Sequence, residues 1–136
     1  MLKIEVWNVW VVNRIKSVKP LTNIEEFLKR FDNFRDGEFR SVEIISPTDI
    51  SLTFAIQDSA RAFDWISITL EFNGVCDARL QDNNKLSLID MSEGITILKE
   101  NNKLAFGIGE CYNINSIKNS SLFIESTNIK YKEGLF

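Results

Sequence analysis

The chain of 136 residues has no histidine, two cysteines, two prolines and six glycines. Without histidine there is no Ser-His-Asp triad, no Cys-His dyad, no imidazole-bound zinc and no imidazole proton shuttle. Two cysteines cannot form an all-thiolate zinc site within one chain. The apolar stretch at the start is interrupted by Glu5 and Asn8, and its longest block, 9–12, is far short of a membrane span. No small-residue cleavage site follows it, so no secretion signal is read. Pro20 and Pro47 are the only prolines, and no linker, charge block or low-complexity tract divides the chain. These absences predict one domain over residues 1–136. They also predict a reducing, cytoplasmic setting in which Cys76 and Cys111 are free, mostly buried and unreactive.

What is present is ordinary globular material: 44% hydrophobic, 26% charged and 11% aromatic residues. A chain of this length buries roughly two-thirds of its unfolded surface and needs no disulfide or metal to fold. The net charge of −3 argues against a nucleic-acid partner. The charge is uneven. Residues 41–110 carry five basic and eleven acidic side chains, a balance of −6, while both flanks are slightly positive.

Residues 2–12 are dense in β-branched and aromatic residues and read as a strand. The clearest helix spans 23–35. Thr22 and Glu25 match a capping box, and Ile24, Phe27, Leu28, Phe31 and Phe34 form one apolar face, with Phe27, Leu28 and Phe31 expected in the core. Gly37 reads as its stop. Strands are expected at 39–46, 50–57, 63–73, 86–90, 94–100, 103–109 and 121–132, the last with a bulge near 125–127. Two nearly identical segments, Asp82-Asn83-Asn84-Lys85-Leu86 and Glu100-Asn101-Asn102-Lys103-Leu104, read as turns of two successive hairpins, at 82–85 and 100–103. The fold class is therefore α+β, an antiparallel β-meander of about six to eight strands with one amphipathic helix.

Without histidine, carboxylates are the remaining acid–base candidates. The pairs Glu25/Glu26, Asp58/Asp64, Asp77/Asp82 and Asp90/Glu93 each have a plainer role at a helix start or a turn. Gly107-Ile108-Gly109 does not precede a helix as a phosphate loop would, and implies close backbone approach or a bulge. Asp82-Asn83-Asn84 lacks the glycine and terminal glutamate of a calcium loop. No cofactor and no metal are expected. Most aromatic rings belong in a core, leaving one tryptophan for a carbohydrate or partner contact.

The run 64–75, Asp-Trp-Ile-Ser-Ile-Thr-Leu-Glu-Phe-Asn-Gly-Val, leads into Asp77-Ala78-Arg79-Leu80. Downstream come Asp90-Met91-Ser92-Glu93-Gly94-Ile95 and Ile129-Lys130-Tyr131-Lys132-Glu133. Over residues 63–133 the chain resembles small bacterial proteins of the toxin-immunity type. That resemblance implies a cytosolic, non-enzymatic protein that binds one protein partner, and no catalytic residues. Together with the acidic middle it gives the leading reading, a non-catalytic inhibitor that meets a basic partner through an acidic face. Acids at turns and strand ends are the candidates: Asp77, Asp82, Asp90 and Glu93. Trp7 and Trp10 are the next candidates if charge does not carry binding. Two alternatives stand beside it, a small-ligand carrier with an apolar cavity inside a curved sheet or barrel and a hydrolase using two facing carboxylates.

Overall fold

The computed structural model describes residues 18–136, so the strand expected over 2–12 and the candidates Trp7 and Trp10 lie outside the described residues. Two antiparallel sheets are built from β1 (Lys19–Pro20), β2 (Glu38–Ser46), β3 (Asp49–Asp58), β4 (Asp64–Asn73), β5 (Asp77–Arg79), β6 (Ile95–Glu100), β7 (Lys103–Ile108), β8 (Phe123–Ser126) and β9 (Asn128–Leu135). Sheet A has the order β1-β9-β4-β3-β2 and sheet B the order β5-β8-β7-β6. The expected α+β class with meander connections holds, as β2-β3-β4 and β6-β7-β8, divided between two sheets.

Alternation makes the core. Ile50, Leu52, Phe54 and Ile56 on β3 face Phe72, Leu70, Ile68 and Ile66 on β4, and all eight are buried. The sheets meet where Phe106 of β7 packs against Phe72 at 5.3 Å and Phe54 at 6.3 Å between ring centroids. One cluster of buried side chains draws on both sheets and on helix α1 (Ile24–Arg30).

The expected strand 121–132 is interrupted, and the interruption is a change of sheet rather than a bulge. Thr127 separates β8 in sheet B from β9 in sheet A, and its N–H bonds to the carbonyls of Asn73 and Gly74 at 3.2 and 3.3 Å. Gly74 has φ +66°, and a Cβ there would strike the Thr127 hydroxyl, so this crossing needs glycine.

Helix α1 is shorter than its apolar period suggests. Its cap is Asn23, whose side chain accepts from Glu26 N at 3.1 Å, so the Thr22 capping box does not form. It ends at Arg30 because Asp32, Asn33 and Phe34 take left-handed backbone conformations with φ of 50°, 55° and 63°. That turn lies on the 91–94 loop. Asp36 N donates to Met91 O at 2.8 Å, and Gly94, at φ +70°, has room for no Cβ against the Asn33 carbonyl. The turn still sends Phe34 inward, so Phe27, Phe31 and Phe34 are all buried while Leu28 is half-buried.

The two Asn-Asn segments behave differently. Asn101 and Asn102, with φ of 51° and 63°, close the β6–β7 hairpin as expected. Residues 82–85 do not close a hairpin. They enter a 3₁₀ turn over Asn83–Leu88, which also replaces the strand expected at 86–90. The second copy sits between six-residue strands that pair with each other, whereas the first follows three-residue β5, already paired with β8. A second helix, α2 (Ile114–Lys118), lies outside sheet B with Ile117 buried against Ala105 and Phe123. A Cβ on Gly107 would come within 3.2 Å of Ile117, which is the close approach the glycine implied.

Candidate functional site

Asp58, the last residue of β3, shares the inward parity of Phe54 and Ile56 and is fully buried. Arg30 of α1 meets it in a bidentate pair, with Nε donating to Oδ1 at 2.9 Å and Nη2 to Oδ2 at 2.7 Å. Ala60 N donates to Oδ1 at 2.9 Å, and Arg61 Nε lies 3.4 Å from Oδ2. Arg30 Nη2 and Arg61 Nη2 also donate to Glu133 Oε1 on β9 at 2.9 and 3.1 Å. The hydrogen bonds from Arg30 outweigh burial and hold the Asp58 carboxyl below the usual carboxylate range, while the same contacts raise the Arg30 guanidinium. The Asp58 carboxylate, clamped by two guanidiniums, has no proton to give near neutral pH. This cluster ties α1 to the ends of β3 and β9.

The turn after β3 places an aromatic side chain outward. Ala62 and Phe63 both have left-handed backbone, φ 55° and 65°, which costs about 1–2 kcal/mol per residue without glycine. Phe63 is 62% exposed. Its carbonyl accepts from Gln57 Nε2 at 3.2 Å, and Gln57 stands opposite Trp65 in the β3–β4 pair. Trp65, 42% exposed, packs on Phe136 with centroids 5.8 Å apart. Arg40 lies over the Phe136 ring as well, 4.5 Å from its centroid, and donates to the Phe136 backbone oxygen at 3.0 Å. Leu135, opposite Ile66, is 89% exposed, and Phe136 is 61% exposed. This end of sheet A thus presents Phe63, Trp65, Leu135 and Phe136 to solvent. Beside it lies a cleft of about 640 Å³, with Lys29, Phe31 and Arg35 on one wall and Gln57, Ser59 and Phe63 on the other.

The acids expected at a binding face are placed apart. Asp77 is on β5, at one edge of sheet B, 3.5 Å from Lys118 Nζ. Asp90 and Glu93 share the loop before β6, at the opposite edge. Asp90 accepts from Ser92 N at 2.9 Å, which lowers its pKa. Asp82 stands before the 3₁₀ turn, where its carbonyl accepts from Lys85 N at 2.8 Å. The fold brings Asp90 and Glu93 together, sets Asp77 across the sheet from them, and gives Asp82 a turn position of its own.

The cysteines are free, but Cys76 is exposed rather than buried, because it lies in the link between β4 and β5. Its thiol is 3.3 Å from Glu125 Oε1. Burial of the thiol sulfur and the neighbouring carboxylate push its pKa up, and burial does the same for the half-buried Cys111. Sequence reasoning placed most rings in the core and singled out neither Phe63 nor Phe136 as exposed. Only the break after Asp58, where Ser59-Ala60-Arg61-Ala62 lacks apolar alternation, marks Phe63 as a turn residue. Comparison of the chain with protein-family models, with curated proteins and with solved structures found no match.

Proposed function

We propose that the chain is a non-catalytic, cytoplasmic binding protein whose ligand is another protein, and that the aromatic end of sheet A is its contact surface. The observation that carries the reading is the grouping of Phe63, Trp65 and Phe136, all exposed, beside Arg40. Tryptophan, aromatic and arginine side chains dominate binding energy at protein interfaces, and isolated soluble domains rarely leave such groups together in water. The left-handed Phe63 adds to this, since strained backbone is retained where a side chain must be held in place.

The interior supports this reading over a ligand carrier. The space between the sheets is filled by Phe54, Phe72, Phe106 and Ile124. The arginine clamp on Asp58 and Glu133 supports it over carboxylate hydrolysis. The resemblance over residues 63–133 narrows the partner to a toxin, with this chain as its bacterial immunity-type inhibitor. In that form Asp77, Asp82, Asp90 and Glu93 act on the rate of encounter with a basic partner.

The test is co-expression with the product of the adjacent gene, followed by pull-down and an assay of that product's toxicity. Binding and inhibition by the wild type, both weakened by Trp65→Ala, support the proposal. A complex indifferent to Trp65→Ala removes the aromatic end as the contact surface. An adjacent product that is neither bound nor inhibited removes the immunity reading.

A further inference from the structure

We infer that Asn73-Gly74 is a latent site of self-modification. Asp49 and Glu71 lock its amide while the chain is folded, and opening of the crossing at Thr127 lets it deamidate through a succinimide to aspartate and isoaspartate.

This is the one Asn-Gly pair in the chain. The reaction needs no enzyme. Gly74 N gives its proton to solvent base and bonds to Asn73 Cγ. The bond from Cγ to the amide nitrogen breaks, and that nitrogen leaves as ammonia. Water then opens the ring at either carbonyl. Glycine in second place offers no side chain against the attack. The fold cannot discard it, because a Cβ on Gly74 would fall on the Thr127 hydroxyl.

Each group the reaction uses is held. Asn73 Nδ2, the leaving group, donates to Asp49 Oδ1 at 3.0 Å and to Glu71 Oε1 at 3.4 Å, and Asn73 Oδ1 accepts from Asn128 Nδ2 at 3.4 Å. The bond from Asn73, then that from Ser46 Oγ at 2.9 Å, hold the Asp49 carboxyl below the usual carboxylate range. The Gly74 N–H faces the same carboxylate. In an extended strand the backbone must rotate at Asn73 before Gly74 N can reach Cγ. That rotation is opposed on both sides, where Asn73 pairs with Asp49 of β3 and Asn128 of β9. Thr127 N and Oγ1 both donate to Asn73 O at 3.2 Å, and Val75 N donates to Thr48 O at 2.9 Å, so the chain is fixed before and after the glycine.

Deamidation removes the Nδ2 donor and sets a third carboxylate beside Asp49 and Glu71, with Lys130, opposite Glu71 in the β4–β9 register, as a nearby cation. Like charges directly opposite each other destabilise a strand pair, and residue 73 stands opposite Asp49. Isoaspartate also adds a carbon to the backbone at the crossing. Both products leave the crossing weaker, so each opening that reacts favours the next.

The experiment incubates the full chain, folded and in urea, at mildly alkaline pH. Peptide mapping follows residue 73 by the mass gained when an amide becomes an acid and by the split between aspartate and isoaspartate. In urea, Asn73 is expected to be the first asparagine to convert. In the folded chain its rate is expected to be lower by at least about tenfold, because the crossing must open first. Asp49→Ala is expected to raise the folded rate several-fold, while Asn83→Ala, on the β2 edge, leaves it unchanged. Asn73→Asp, the product itself, is expected to unfold at a lower urea concentration than the wild type. A folded chain that deamidates as fast as the unfolded one overturns the inference. So does an Asp49→Ala rate no higher than that of the wild type, which would leave the backbone pairing as the whole lock or make Asp49 a base. Equal acceleration by Asn83→Ala overturns it too, by assigning the effect to general loss of stability. An Asn73→Asp midpoint equal to that of the wild type overturns the weakening of the crossing.

Discussion

The carboxamide of Asn83 binds the edge of β2 as a neighbouring strand would: its oxygen accepts from Val42 N at 2.8 Å and its nitrogen donates to Val42 O at 3.2 Å. Both backbone groups of Val42 point away from β3, so a single side chain satisfies one full residue of sheet edge. Exposed Ile44 and Ile45 follow on the same strand, and an open apolar edge of this kind recruits other strands.

Replacing Asn83 with alanine therefore has two expected effects. Stability falls by about 1 kcal/mol, since water recovers part of two exposed hydrogen bonds. Aggregation on warming rises, because Val42 joins Ile44 on an open edge. Urea midpoints measure the first and light scattering the second. An Asn83→Ala protein no more prone to scatter than the wild type shows that the 3₁₀ turn guards the edge without this amide.

Asp58→Asn is expected to destabilise by about 3 kcal/mol, the low end for a broken buried pair because Arg30 keeps 28% of its side chain in water. The pH dependence follows from the sign of the shift. The folded carboxyl titrates below its unfolded value of about 3.9, so its contribution is present above that pH and is lost as pH falls through the lower folded value. Urea midpoints of the wild type should hold from pH 7 to about pH 5 and drop below about pH 4. The Asp58→Asn protein should start lower and drop less over the same range. Parallel curves for the two proteins would remove Asp58 as a source of acid sensitivity.

Cys76 is exposed yet expected to react slowly with a thiol reagent at pH 7.5, because desolvation of its sulfur and a carboxylate 3.3 Å away both disfavour the thiolate. Glu125→Gln removes that charge and leaves Lys103, its former partner at 3.6 Å, as the charge acting on the thiol, which favours the thiolate. Labelling of Cys76 should then accelerate several-fold at pH 7.5. An unchanged rate would place the control elsewhere.

The parts of the fold legible in sequence are those set by local alternation. Ile66, Ile68, Leu70 and Phe72 announce β4, and Asn101-Asn102 announces its hairpin, because each depends on neighbours close in the chain. The apolar spacing names Phe27 and Phe31 correctly as core, overrates the half-buried Leu28 and overstates α1, since contact with Met91 and Gly94 turns the chain left-handed after Arg30. The contrast between 82–85 and 100–103 has the same cause: what Asn83 does is decided by Val42, 41 residues away. The Asn113-Ile114-Asn115-Ser116 capping box of α2 was readable, with Ile114 and Ile117 one turn apart, but is too short to carry a period. The exposed end was readable only in part: Trp65 falls on the outward side of the Ile66, Ile68, Leu70 and Phe72 alternation, whereas Phe63 and Phe136 have the composition of core residues and lie just beyond the ends of β4 and β9.

Aromatic anchoring and charge steering predict different kinetics with a protein partner. Trp65→Ala removes a large contact at the centre of the proposed surface, and losses at such positions reach about 2 kcal/mol, or roughly thirtyfold in affinity. That loss should appear in the dissociation rate and be indifferent to salt. Asp90→Lys with Glu93→Lys changes one exposed loop at the edge of sheet B and should leave stability within about 1 kcal/mol of the wild type. Its effect should fall on the association rate and fade as salt rises. Surface plasmon resonance of both variants against the adjacent gene product, at two salt concentrations, separates the cases. A double reversal that accelerates dissociation while Trp65→Ala does nothing would move the contact surface from the aromatic end to the loop before β6.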